Sequence, residues 1–406
     1  MVIDRGGGVC YHNYVVFYDK FFQFIQGGFS MGATTGLAKK RITWLDMAKG
    51  IGMLCVIVGH VSPYTALWKW FYTFHLPLFF LLSGYVFKMG DNFSTFFKKK
   101  CKSLLLPYLG LGIPMVLFNW LYSSDRSVTV LRDLALQFLV QRRMWTLWFL
   151  ACLFFVNLLF YLTVKVLKTN GKLAICAVVF VLLGLGYYAA VNAFLPGGID
   201  ALIPGIPPIQ EAPNNALPWN LDTVLMTYPF FFVGYFYKQK QESIDKLLDS
   251  KKWSPLLFVG LLAVNVVCGY VNCKISGYGY GLEMWGSRYG CVPLTYLAAF
   301  AGVACVIMVS KWFTWEPIRF IGENSLVYFA WHQTIGKPLT ADFLALFHLT
   351  EDMCTTWWEL RCYRLTWALL ILIFCTLCTL LVTRTPLRCL MGKPPFPPRE
   401  KVTKEA

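Results

Sequence analysis

The sequence predicts an all-α, polytopic membrane protein of about ten transmembrane helices with both termini in the cytoplasm. Three observations carry this. The 406 residues are 57% hydrophobic and only 14% charged, whereas soluble domains carry roughly 25% charged residues. The apolar residues also fall in blocks free of charge, at 104–121, 148–164, 173–194, 256–271 and 367–382, each near the roughly 20 residues that cross a bilayer. Finally, the basic residues lie at the ends of these blocks and alternate between crowded and sparse segments, as the positive-inside rule demands.

Ten spans are placed near residues 44–63, 70–89, 103–122, 145–165, 173–194, 222–238, 254–273, 291–310, 319–337 and 365–383. With the N-terminus inside, the segments around Lys39–Arg41, Lys98–Lys102, Lys165–Lys172, Lys238–Lys252 and the C-terminal tail fall in the cytoplasm. Their Lys and Arg outnumber those of the outer segments, which favours an even number of spans. The net charge of +16 is thus a topology signal, and nucleic acid is not an expected partner.

The first 40 residues contain no long apolar run and read as an extension; Met31, shortly before Lys39-Lys40-Arg41, looks like a natural start. Residues 41–383 form the membrane domain, and 384–406 a basic, proline-rich tail. Residues 195–221 are rich in Pro and Gly and read as an irregular cap over the outer face. The 14 cysteines are mostly scattered through apolar segments and read as small buried hydrophobes. The Cys375-x-x-Cys378 pair has no His or carboxylate neighbour, so no metal site is expected.

Ionisable residues inside spans are expensive and mark function by default. Lys49 and His60 are 11 residues apart in the first span, which places them on one helix face, roughly 16 Å apart along the axis. Asp46 lies three residues before Lys49, close enough to pair with it. The plain alternatives are an interfacial histidine and a lysine anchor. In the second span Phe74-His75-Leu76-Pro77 places His75 beside an expected proline kink, facing His60 across a short loop. Ser83-Gly84 permits close helix approach. Asn220 and Asp222 enter the sixth span from outside, as cap or as acceptor contact. In the ninth span Gly322-Glu323-Asn324-Ser325 reads as a capped helix start, and His332 follows Ser325 by two turns on the same face. Trp357-Trp358 in the outer 338–364 segment offers stacking surfaces for sugars, or an interfacial belt. There is no Gly-x-Ser-x-Gly elbow, Walker loop, dinucleotide-binding glycine motif or His-Glu-x-x-His.

In order, these segments resemble the membrane acyltransferase 3 family, in its branch related to fucose 4-O-acetylase. The likeness covers about residues 41–383. It rests on Lys49 followed after ten residues by His60, Phe74-His75-Leu-Pro77 with Ser83-Gly84, and Pro107-Tyr108. Further on it rests on Leu147-Trp148-Phe149, Asn220-Leu-Asp222 leading to Gly234, and Gly322-Glu-Asn-Ser325 with His332-Gln333. Lys49 stands where many relatives have Arg, which keeps the charge but not a bidentate contact.

The resemblance implies a multi-pass enzyme of the bacterial inner membrane that moves an acyl group, typically acetyl from acetyl-CoA, to a hydroxyl of a surface polysaccharide or lipid-linked sugar. It implies His60 as general base, His75 as second proton carrier, and Asp46 and Lys49 as donor-binding residues. Ser83, Asn220, Asp222, Ser325 and His332 follow as acceptor or supporting residues. Acetyl-CoA is a substrate in this reading, and no permanently bound cofactor is expected. The rival readings are a transporter or flippase of glycan precursors, and a non-catalytic partner of a polysaccharide export machine.

Overall fold

The computed structural model describes residues 41–90, 92–202, 215–250, 252–277 and 283–395. The extension expected over 1–40, residues 203–214 of the irregular 195–221 loop and the end of the tail lie outside this set. Among the described residues the fold is helical, with one isolated antiparallel bridge between Glu283 and Arg288.

The chain opens with α1 (Thr43–Val61), the short α2 (Ala66–Tyr72) and α3 (His75–Tyr85). Next come α4 (Phe93–Lys100), joined through a π turn to α5 (Leu106–Tyr122), then α6 (Val128–Val140), α7 (Trp148–Leu167) and α8 (Asn170–Phe194). The second half holds α9 (Leu221–Gln239), α10 (Gln241–Leu248), α11 (Ser254–Ile275), α12 (Val292–Trp312) and α13 (Glu316–Glu323). It ends with α14 (Ser325–Trp331), a π turn (His332–Gly336), α15 (Lys337–Ala345) and α16 (Trp357–Arg384).

Among the described residues seven helices are long and apolar enough to cross a bilayer: α1, the continuous α4–α5 unit, α7, α8, α11, α12 and α16. The expected total of ten is therefore not what length and apolarity deliver, and the three exceptions are instructive. The 70–89 segment is broken at Thr73 and Phe74 between α2 and α3. The 319–337 segment is divided among α13, α14 and a π turn. The 222–238 segment is one helix, α9, but Asp222 and its tyrosines lower its hydropathy.

These exceptions sit inside the bundle. Nine of the residues of α3 are buried, and Met226, Tyr228 and Phe231 of α9 are fully so. A helix surrounded by protein can carry polar residues on any face, whereas one that faces lipid needs an apolar face there. The lipid-facing helices obey this: α11 exposes Leu256, Val259, Val266 and Val267, and α8 exposes Ile175, Val178 and Leu182.

Helix ends follow local chemistry. Thr65, Asn92, Ser127 and Thr169 each accept a backbone N–H of the helix they start. Thr356 and Glu359 form a reciprocal capping box at α16. Pro77 was expected to kink its span; instead it lies in the first turn of α3, where its missing N–H has no partner to lose, and the break lies upstream.

Two reciprocal glycine contacts fix the centre. A Cβ on Gly84 of α3 would meet the carbonyl of Phe231, and one on Gly234 of α9 would meet the carbonyl of Leu81. In the same way Gly50 of α1 lies on Ile318, and Gly322 of α13 lies on Asp46. Small residues at both sides of a crossing let membrane helices pack backbone to backbone. Gly234→Ala should therefore lower the melting temperature of the detergent-purified protein, at a cost of about 1–3 kcal/mol. Gly260→Ala on α11, which would meet nothing, should leave it unchanged or slightly raised.

Candidate active site

Three helix breaks bring three histidines to one place. His60 ends α1, just before Ser62-Pro63 releases the chain. His75 opens α3 just after the Thr73–Phe74 break, and His332 opens the π turn that follows α14. A π turn admits an extra residue into the helix and re-aims the side chains it carries, which is why such turns gather at functional sites.

The rings meet at the wall of a cavity of about 450 Å³. The His60 and His332 ring centroids are 5.1 Å apart. Tyr72 lies 4.6 Å from His75 and 6.3 Å from His60. The direct neighbour of His60 is thus His332, and Tyr72 sits between His60 and His75, which had been expected to face each other.

Two of the tautomers are set by backbone carbonyls, which can only accept. His75 Nδ1–H donates to Phe71 O at 2.8 Å. His332 Nδ1–H is shared between Tyr328 O at 2.9 Å and Phe329 O at 3.1 Å. Each ring therefore keeps its lone pair on Nε2, the form a proton acceptor needs. The Nε2 of His332 is buried and has no hydrogen-bond partner among the described residues. A buried acceptor without a partner costs about 1–3 kcal/mol.

Of the rest of the wall, Trp148 and Gln333 stand in motifs noted in the sequence, whereas Trp145, Trp285, Tyr72, Glu283 and Lys337 were not legible there. Trp68, Trp145, Trp148 and Trp285 line the cavity, together with Tyr72, Gln333, Glu283 and the ammonium-bearing Lys337. Trp145 and Trp285 come from loops rather than spans, and they carry no motif. The Trp357-Trp358 pair anticipated as a stacking platform is instead stacked on itself at 4.3 Å, exposed, and outside this cavity.

Behind the wall lies a buried ion pair. Arg143, fully buried, pairs with Asp222, donates to Thr223 Oγ1 at 2.8 Å, and reaches the carbonyls of Met284 and Trp285. Asp222 also accepts from Tyr188 Oη at 3.0 Å and Leu217 N–H at 3.0 Å. Asn220 accepts from Arg143 N–H at 3.0 Å and donates to Trp148 O at 3.2 Å. Trp285 Nε1–H returns to Arg143 O at 2.8 Å. Asn220 and Asp222 therefore hold the Arg143 loop instead of lining the cavity. Asn220 occupies the cap position of α9 without capping it, because its side chain is committed elsewhere.

The network holds an unfavourable backbone. Gln141, Arg143, Trp145, Trp219, Asn220 and Ser287 all adopt positive φ, between 48° and 61°. For a residue with a Cβ this costs roughly 1–2 kcal/mol each, and it persists only where the surroundings over-determine it.

The remaining candidates lie elsewhere. Lys49 Nζ donates to Asp46 Oδ1 at 2.7 Å, and Arg41 Nε to Asp46 Oδ2 at 3.1 Å. This pairing, anticipated from the three-residue spacing, sits about 16 Å down α1 from His60. Asp46 is occupied by two cations, so it holds Lys49 and Arg41 in place. Ser83 donates to Phe79 O within its own helix at 2.8 Å, and Ser325 does not line the cavity. The capping expected at α14 is absent: the Asn324 amide donates back to Phe320 O at 3.0 Å, in the preceding helix.

Breaking the buried pair from one side should be severe. Asp222→Asn should destabilise the protein by about 3–5 kcal/mol, because it leaves the Arg143 charge sealed and uncompensated. The double variant Arg143→Met/Asp222→Leu should lose much less than the two single changes added together, as read by thermal unfolding in detergent.

Comparison with known proteins agrees with this frame. The sequence profile of the family described as "Acyltransferase domain", acyltransferase 3, matches residues 42–384. The chain is 24% identical over 270 residues to "Nodulation protein NolL" of Mesorhizobium japonicum (strain LMG 29417 / CECT 9101 / MAFF 303099), covering 63% of this chain. The match spans 62% of that relative's length. No solved structure matches. With a profile match over most of its length, on a multi-pass helical membrane fold, the chain belongs to the membrane acyltransferase 3 family.

Proposed function

We propose that the protein is an O-acyltransferase of the bacterial inner membrane. It moves an acyl group, acetyl from acetyl-CoA, to a hydroxyl of a surface polysaccharide or lipid-linked sugar. The observation that carries this reading is the convergence of His60, His75 and His332 on one aromatic-walled cavity, in a chain of acyltransferase family.

The chemistry asks for a base, a site for developing negative charge and a surface for the acceptor. His60 takes the proton of the acceptor hydroxyl as its oxygen forms a bond to the thioester carbonyl carbon. The carbonyl oxygen gains negative charge, which the Lys337 ammonium on the cavity wall stabilises. Collapse breaks the carbon–sulfur bond, and the thiolate leaves with the proton that His60 had taken. His332, 5.1 Å away with its Nε2 unpartnered, orients His60 or carries the proton onward, and His75 does so through Tyr72. Equally, a histidine Nε2 can take the acyl group first and pass it on.

The four tryptophans suit a sugar acceptor, since an apolar ring face stacks on carbohydrate C–H groups while the edges stay polar. Lys49 and Arg41, at the other end of α1, suit the phosphates of a donor entering from the cytoplasm.

Two measurements test the reading. His60→Ala should reduce the O-acyl ester signal in NMR of the surface polysaccharide by at least roughly 10²-fold, with the variant still present in the membrane. An unchanged ester pattern in a deletion strain would favour transport of glycan precursors instead. In purified protein, Lys49→Ala should raise the KM for acetyl-CoA about tenfold with kcat little changed, the signature of lost ground-state binding.

A further inference from the structure

A second cavity, of about 410 Å³, lies between α2 and α11. We propose that it is a docking site for the phosphate headgroup of a membrane lipid. Its position comes first. Val266 and Tyr270 on its α11 side are 47% and 63% exposed, on a helix that presents apolar side chains to the bilayer along its length. An occupant therefore enters sideways from the membrane.

Its charge comes second. Lys69 and Lys274 both line the groove, and neither takes part in an ion pair among the described residues. Lys274 Nζ sits 5.6 Å from the Tyr270 ring centroid, a contact that positions the ammonium and leaves its charge uncompensated. Lys69, in α2, comes shortly after the His60 end of α1, and Lys274 lies in the last turn of α11, at the end that the expected topology places outside. Two unneutralised cations beside Trp70 and Tyr270, at the depth where aromatic residues meet headgroups, fit an anionic head above an apolar tail.

The third observation is that the groove is built. Asn265, fully buried at its floor, accepts from Trp70 Nε1–H at 2.6 Å and donates to Thr73 Oγ1 at 2.9 Å and Ala298 O at 2.7 Å. A Cβ on Gly269 would press on Thr73, so α11 approaches the α2–α3 break at this point. The groove is thus held rigid by the same short segment whose next residues, Tyr72 and His75, line the histidine cavity. A lipid docked here lies one short helix away from those rings.

The site stands apart from the acyltransferase reading, and its test reads binding alone. Purified protein would be titrated by native mass spectrometry with dioleoylphosphatidylglycerol, zwitterionic dioleoylphosphatidylcholine, and a C55 polyprenyl phosphate. The variants are Lys69→Ala/Lys274→Ala and the charge-preserving Lys69→Arg/Lys274→Arg. Wild type and the arginine variant should bind the anionic lipids in preference to phosphatidylcholine. The alanine variant should bind them about thirtyfold more weakly, each lysine contributing on the order of fivefold. Preference for the polyprenyl phosphate would identify the occupant as a carrier lipid, and equal binding of both anionic lipids a bulk phospholipid. Unchanged binding by an alanine variant with a wild-type melting curve would overturn the proposal.

Discussion

The buried pair between Arg143 and Asp222 is the constraint from which the rest of the site follows. Two charges removed from water are costly, and their attraction offsets that cost only when the geometry is good and the remaining donors are satisfied. Here the two charges are met from three directions, the start of α9, Tyr188 of α8, and the loop that carries Met284 and Trp285, while Arg143 Nε has no partner among the described residues and Asn220 holds the Arg143 backbone. One ion pair thus ties together loops distant in sequence. It also explains why six non-glycine residues around it tolerate left-handed backbone. Trp145 and Trp285 owe their places on the cavity wall to this arrangement, since neither belongs to a helix.

Interior and lipid-facing helices divide the work. Those against lipid present apolar side chains to it and turn their few polar groups, such as Asn265 of α11 and Tyr188 of α8, toward the interior. The inner ones, α1, α3, α9 and the α13–α14 segment, are polar in places and packed backbone to backbone through glycine, and the 70–89 and 319–337 segments are also broken. The histidines sit at the breaks. A continuous helix would spread its side chains along its axis. An interrupted one frees a terminus, and the π turn after α14 turns His332 toward His60. At α3 and α14 the interruptions remove the apolar length by which spans are recognised, whereas α1 keeps that length and carries His60 near its end.

This division sets what was legible in the sequence. The lipid-facing spans were plain, because length and apolarity are the property read. The Asp46–Lys49 pair followed from helical spacing, and Gly84 followed from its small size beside Ser83. His60, His75 and His332 stood out because an ionisable group within a span needs a reason. Missed were Tyr72, Lys337, Glu283, Trp145 and Trp285, residues of ordinary type in ordinary positions, assembled only by long-range folding. Arg143 was counted as a charge in an outer loop, whereas it is fully buried. No local signal marks a loop arginine that will fold inward onto a carboxylate 79 residues later. Asn220 and Asp222 were noticed for the right reason, polarity at a helix start, but their partner decides their role.

The two ends of α1 state the problem that any acyl transfer here must solve. Its cations stand at one end and its histidine at the other, about 16 Å apart along one helix face. A donor whose phosphates bind at Lys49 and Arg41 must carry its reacting carbon the length of the helix. That requirement selects a thioester held on a long, uncharged arm, since a charged arm would lose its hydration within the bundle. It also separates binding from chemistry. In the reaction proposed above, changes at the cationic end would act on how tightly the donor is held, and changes at the histidine end on the transition state. The helix itself, locked to α13 through Gly50 and Gly322, keeps the two ends in fixed register.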